Sequence, residues 1–271
     1  MGTSDSTCSA TCLPQNISLA MSVIDASCPV EVQDFRFLQL KSAAFEGKPA
    51  FSVEHSSSLA ACNKYGILFV ALGKTVKAVR LGTLTAPEPE RDAATLTLAS
   101  LRLAADVTHL SLSCDELTLL VATTHQRCAH GYLYDVRAFC GQEVRPFAEL
   151  RLAADPGDPL LEAVWNPVQS DLVAVVFRSG SLALFQVAAG GGVTVHRLPA
   201  DTGARCACWS RKGKQLAVGR RDGRLTQHRP DLSEARAIAA PPPLPDAPTT
   251  AAAVSVLWLS TYEFVVGYVP E

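Results

Sequence analysis

Short apolar runs, bounded on both sides by turn-forming residues, recur along the chain. They are Ile67-Leu-Phe-Val-Ala-Leu72, Leu119-Leu-Val-Ala122, Leu172-Val-Ala-Val-Val-Phe177, Gln215-Leu-Ala-Val-Gly219 and Phe264-Val-Val-Gly-Tyr-Val269. Each is four to six residues long and rich in β-branched and aromatic side chains. That length and composition predict strands and not buried helix segments. The runs do not alternate polar with apolar, so both faces of each strand are expected to be covered. Turn signals follow them. Arg178-Ser-Gly180-Ser and Arg221-Asp-Gly223-Arg each place a glycine where a tight hairpin needs positive φ.

The pattern is a repeat. Aligned on the residue that ends the first strand of each unit, the anchors are Cys62, Ser113, Trp165, Trp209 and Trp258, spaced 51, 52, 44 and 49 residues apart. A period of roughly 40–50 residues is that of four-stranded propeller blades. The clearest unit runs from Cys206 to His228: a strand ending at Trp209, a turn Arg211–Lys214, a strand to Gly219, the Asp222-Gly223 hairpin and a third strand. Tyr134-Asp135 stands where WD-type blades carry Trp-Asp, while the Gly-His pair of that signature is missing. The expected fold is therefore all-β, a WD-like β-propeller with about five blades present. Trp165, Trp209, Trp258, Gly180 and Gly223 are its structural anchors. The fifth unit reaches Glu271 after its second strand, so further blades are expected beyond it. Residues 1–33, rich in Ser, Thr and Cys, are expected to be a disordered tail, with 34–271 an incomplete propeller domain.

Chemistry is sparse. No nucleophile elbow, phosphate-cradling glycine loop or His-Glu-x-x-His motif is present, and the six histidines are scattered. The expectation is a non-enzymatic protein with no cofactor. The nine cysteines lack zinc-site spacing, and those in strands read as small apolar residues. His125, Cys128 and His130 are better explained by a loop than by a metal. No signal peptide and no 18-residue apolar run is seen, so the chain is expected to be intracellular, without a membrane span. The net charge of −2 gives no global nucleic-acid signature. Between residues 205 and 229, however, eight basic side chains face one acid, Asp222. Arg211, Lys212, Lys214, Arg220, Arg221 and Arg224 are the candidate interaction patch, for an acidic partner or for RNA. Solvated turns at blade rims explain the same residues without any partner. The run lacks interleaved aromatics for base stacking, so no specific nucleic acid is expected. Ala240-Pro-Pro-Pro-Leu-Pro-Asp-Ala-Pro248 reads as a loop between blades.

A set of colinear stretches narrows the reading. Asp34-Phe-Arg-Phe-Leu38, Asn63-Lys-Tyr-Gly66, Leu110–Leu119, Tyr134-Asp-Val-Arg-Ala-Phe139, Arg145-Pro-Phe-Ala148, Val164-Trp-Asn-Pro167, Gly213–Gly219, Val256-Leu-Trp258 and Thr261-Tyr262 occur in this order. Together they resemble the N-terminal β-propeller of the CAN nucleoporin family, large FG-repeat proteins of the cytoplasmic filaments of the nuclear pore. The resemblance implies a seven-bladed propeller and a place on the cytoplasmic face of the nuclear pore complex. It implies mRNA and protein transport as the process served. It also implies docking of the DEAD-box mRNA-export helicase in competition with RNA, alongside other nucleoporins. In that family the helicase contacts fall largely on later blades, beyond Glu271. A generic WD-like intracellular scaffold is the alternative.

Overall fold

The computed structural model describes residues 57–82, 97–125, 128–141, 143–188, 191–240, 251–260 and 263–270. All of them belong to the compact unit Lys41–Glu271. The expected tail 1–33 and most of the proline-rich stretch lie outside the described residues.

Four antiparallel four-stranded sheets follow one another along the chain, each in the order of its sequence. The first holds β1 (Leu59–Cys62), β2 (Ile67–Leu72), β3 (Thr75–Arg80) and β4 (Thr97–Arg102). The second holds β5 (Val107–Leu112), β6 (Thr118–His125), β7 (Cys128–Asp135) and β8 (Pro146–Arg151). The third holds β9 (Leu160–Trp165), β10 (Leu172–Phe177), β11 (Leu182–Val187) and β12 (Val193–Leu198). The fourth holds β13 (Ala204–Trp209), β14 (Leu216–Arg220), β15 (Leu225–His228) and β16 (Glu234–Ile238). A two-stranded fifth sheet pairs β17 (Ala251–Trp258) with β18 (Phe264–Pro270). These are the blades that the period predicts, and the fold is the WD-like all-β propeller type.

The blades pack face to face, and strand parity decides which neighbour each side chain meets. In β10, Val173, Val175 and Phe177 join a core with Leu120, Ala122 and Leu133 of the second blade. Leu172, Ala174 and Val176 join another core with Trp209, Leu216 and Val218 of the fourth. Every residue of β10 is buried, which is why its sequence shows no alternation. The first two blades meet through Ile67, Phe69, Leu119, Val121, Tyr134 and Phe139. There the Phe69 and Phe139 rings stand edge-on with centroids 5.0 Å apart. Burial pushes the Tyr134 hydroxyl up to about 12.

The seams are stitched by side chains as well. Trp165 Nε1 donates to Ser111 Oγ on the preceding blade at 3.0 Å, and Trp209 Nε1 donates to the Val164 carbonyl at 3.1 Å. Asn166, fully buried, donates from Nδ2 to the Gly213 carbonyl at 2.8 Å. Backbone ties add to them: Gly73 O accepts from Val107 N at the seam of the first two blades, and Gly180 O from Ala204 N at that of the third and fourth, both at 2.9 Å.

Two features of the repeat differ from its reading in sequence. Ser113 lies one residue past the end of β5, and Leu112, paired with Leu119, occupies the position that Trp165 and Trp209 hold. The first strands also share a bulge. Their register shifts at Thr108, Leu161, Arg205 and Val254, four residues before the strand end in each blade from the second to the fifth. An extra residue on one strand re-aims the side chain beside it, and the residues that follow the first three bulges, His109, Glu162 and Cys206, reach across the seam to the next blade.

Candidate functional site

The basic run from Arg205 to Arg229 is continuous in sequence but divided in space. Arg211, Lys212 and Lys214 lie in the turn between β13 and β14. Arg221 and Arg224 flank the turn between β14 and β15, and Arg220 ends β14. Those two turns stand at opposite ends of a five-residue strand. At about 3.3 Å per residue they are roughly 16 Å apart. The six side chains therefore form two clusters, not one patch.

The two clusters differ electrostatically. Asp222 sits between Arg220 and Arg224, with its oxygens 3.8 and 3.7 Å from their Nε atoms. In the other cluster Arg211, Lys212 and Lys214 are all exposed. Among the described residues none of the three has an ion-pair partner. Arg229 joins them from the turn after β15, because in an antiparallel blade the first and third turns share one end. Together they rim a cleft of about 560 Å³ between the fourth and fifth blades. Its remaining walls include Pro230, Trp258 and Leu259, and among the described residues none of its lining side chains is acidic. Leu259 is 40% exposed there. Sequence reasoning left Arg229, Pro230 and Leu259 out of the patch. The alternation of turns between the two ends of an antiparallel blade is the signal that would have grouped them.

The anchors occupy the seams. Trp165, Trp209 and Trp258 are buried, and Trp258 also contacts the Phe264 ring at 4.6 Å between centroids. Gly180 has φ +97°, and a Cβ there would stand 2.8 Å from both Ala200 O and Gly203 Cα of the linker into the fourth blade. Gly223 has φ +77°, and its Cβ would stand 2.5 Å from Ala251 O at the start of the fifth. At both positions the absence of a side chain lets the second turn of one blade touch the backbone leading into the next.

One titratable group is set apart by its burial. Glu162 follows the bulge in β9 and accepts a hydrogen bond from the Ala207 amide at 3.0 Å on Oε2. Desolvation holds its carboxyl above the ordinary carboxylate range, only partly offset by that amide. A carboxyl raised in the folded state stabilises the fold below the unfolded value of about 4.3 and loses that contribution as pH rises through the folded value. Glu162→Gln is thus expected to be more stable than the parent chain at neutral pH, with the difference shrinking toward pH 5. Urea unfolding at both pH values measures it, and a variant equally destabilised at both would contradict the assignment. Nearby Cys206 is pushed up to about 12 by burial and then by Glu162, so its thiol stays protonated and unreactive. No group of three metal-ligating side chains occurs among the described residues. No helix of the described residues is long and apolar enough to cross a membrane.

Successive four-stranded antiparallel blades, packed face to face and carrying a basic cleft at one rim, define a β-propeller. The chain belongs to the NUP159/214 β-propeller family, whose model matches residues 48–271. It is 33% identical over 258 residues to the nuclear pore complex protein Nup214 of Homo sapiens, covering 90% of this chain and 12% of that protein. It is 32% identical over 246 residues to Nup214 of Drosophila melanogaster, covering 87% of this chain and 14% of that protein. The chain thus spans about one eighth of the length of these relatives. Among solved structures, the β-propeller domain of Myceliophteria thermophila Cps50 (Swd1) superposes with a TM-score of 0.56 at 16% identity, over 80% of this chain and 65% of that one. A chain of the mitotic checkpoint complex gives 0.55 at 17% identity, over 90% and 65%. Likeness at that identity concerns the fold alone.

Proposed function

We propose that this propeller is a non-enzymatic docking platform of the nuclear pore complex, on its cytoplasmic face, and that its basic cleft receives an acidic segment of a partner protein. The observation that carries this is the cleft of about 560 Å³ with Arg211, Lys212, Lys214 and Arg229 around Pro230 and the exposed Leu259, the buried Trp258 closing its floor. An interface core of apolar and aromatic groups inside a charged rim is the usual anatomy of a specific protein contact. The rim charges favour encounter with an acidic surface. Membership of the NUP159/214 family and likeness to pore proteins support the location. The DEAD-box mRNA-export helicase, acting in nucleocytoplasmic transport, is the partner to which the family resemblance points; that resemblance puts most of its contacts on later blades, and the basic cleft adds to them from this side.

The two clusters give an internal control. Alanine at Arg211, Lys212 and Lys214 is expected to weaken helicase binding about tenfold or more and to flatten its salt dependence. Alanine at Arg220, Arg221 and Arg224 is expected to change it little. Calorimetry with the helicase at two salt concentrations separates the cases, and equal losses from both triple variants would refute the assignment. RNA binding to the parent chain is expected to be no tighter than the roughly 10⁻⁴–10⁻⁶ M of non-specific contacts. Nanomolar, sequence-selective retention in a filter assay would instead make this an RNA-binding protein.

A further inference from the structure

The residues after the first three bulges form a ladder across the seams between first strands. His109 Nε2 hydrogen-bonds with the Leu161 carbonyl at 3.1 Å. Glu162 accepts from Ala207 N at 3.0 Å, and Cys206 Sγ donates to the Ala253 carbonyl at 3.7 Å. Glu162 is the unusual rung. It is an acid among largely apolar neighbours, its hydrogen bond engages one carboxylate oxygen, and among the described residues no cation lies within 4.0 Å of it.

Glu162 also borders a cleft of about 250 Å³ that spans the first strands of the third, fourth and fifth blades. Leu161, Val254 and Val256 supply apolar walls, and Cys206 and Ser255 complete the lining with Arg205. Burying an acid without a counter-charge is unfavourable, and an incoming cation would relieve it. The cleft has room for one long side chain, and its apolar walls suit an aliphatic stem beneath a charged head.

We propose that this cleft receives a single arginine side chain presented by a partner protein, its stem against Leu161, Val254 and Val256 and its guanidinium on the second oxygen of Glu162. Arginine fits better than lysine because the guanidinium is more weakly hydrated and sheds water at lower cost on entering a half-buried site. Arg205 lies on the wall of the same cleft with no ion pair to Glu162. It acts there as a like charge that limits affinity. The site is distinct from the basic cleft at the rim and selects the opposite charge.

The test uses the ¹⁵N-labelled protein and a capped pentapeptide with one arginine between glycines, beside the same peptide carrying citrulline, which keeps the shape and removes the charge. The Ala207 amide, bonded to Glu162, is the local reporter. Saturable shifts at Ala207 with the arginine peptide, and none with the citrulline peptide, are expected. Glu162→Gln should weaken binding about 30-fold, as when one member of a desolvated charge pair is removed. Arg205→Ala should retain or tighten it. The citrulline comparison needs no variant to fold. Equal responses to both peptides, no saturable response in either the parent chain or Arg205→Ala, unchanged affinity in Glu162→Gln, or loss of binding in Arg205→Ala would each overturn the proposal.

Discussion

Replacing Trp209 with alanine is expected to remove about 3–5 kcal/mol of stability, the usual range for an aromatic lost from a packed core. The indole is buried among Leu172, Ala174, Val176, Leu216 and Val218, so it belongs to two blades at once. Its loss leaves a void at the seam and strips the Val164 carbonyl of the Nε1 donor at 3.1 Å. Set against a total of roughly 5–15 kcal/mol, the change is large. It should lower the melting temperature by about 10 °C. Trp209→Phe keeps most of the packing and loses the hydrogen bond, so about 1 kcal/mol is expected from that part alone. A parent-like melting temperature for Trp209→Ala would show that the ring does not hold the seam.

The second large effect is expected at Gly180. An alanine Cβ there would meet main-chain atoms, Ala200 O and Gly203 Cα at 2.8 Å, which no side-chain rotation can clear. The φ of +97° adds conformational strain of about 1–3 kcal/mol for any residue with a Cβ. Gly180→Ala should therefore cost at least about 2 kcal/mol. Gly192→Ala is the matched control. Its Cβ would touch only Ala188 Cβ, at 4.0 Å. Denaturant unfolding of the two variants side by side gives the answer, and equal midpoints would remove the steric argument.

Much of the blade architecture could be read from the chain because its cause is local. The run Leu172–Phe177 is apolar at every position because each parity of β10 faces a different neighbouring blade. Asp222-Gly223 marks a turn because of its backbone demand. Other features depend on neighbours that a sequence does not show. The bulges at Thr108, Leu161, Arg205 and Val254 have four different side chains and so no shared signal. Ser113 looked like an anchor because spacing alone cannot separate the last paired residue from the first turn residue. The basic run looked like one patch because proximity in sequence hides the reversal of direction at each strand. Glu162 carried no mark as a special acid, since its character comes from the blades that bury it.

The seam ties at Gly73 and Gly180 have a bearing on how such a chain can diverge. Their bonds to Val107 and Ala204 run between main-chain atoms, so exchanging the side chain of either partner amide leaves donor and acceptor in place. Insertions or deletions in the turns, which displace the carbonyl itself, are what this joint cannot absorb. Selection can thus exchange side chains beside these joints while the pitch from blade to blade stays fixed. About two thirds of the aligned residues differ between this chain and its human relative, and mutational robustness of this kind lets a lineage change what its surface recognises without rebuilding the blades.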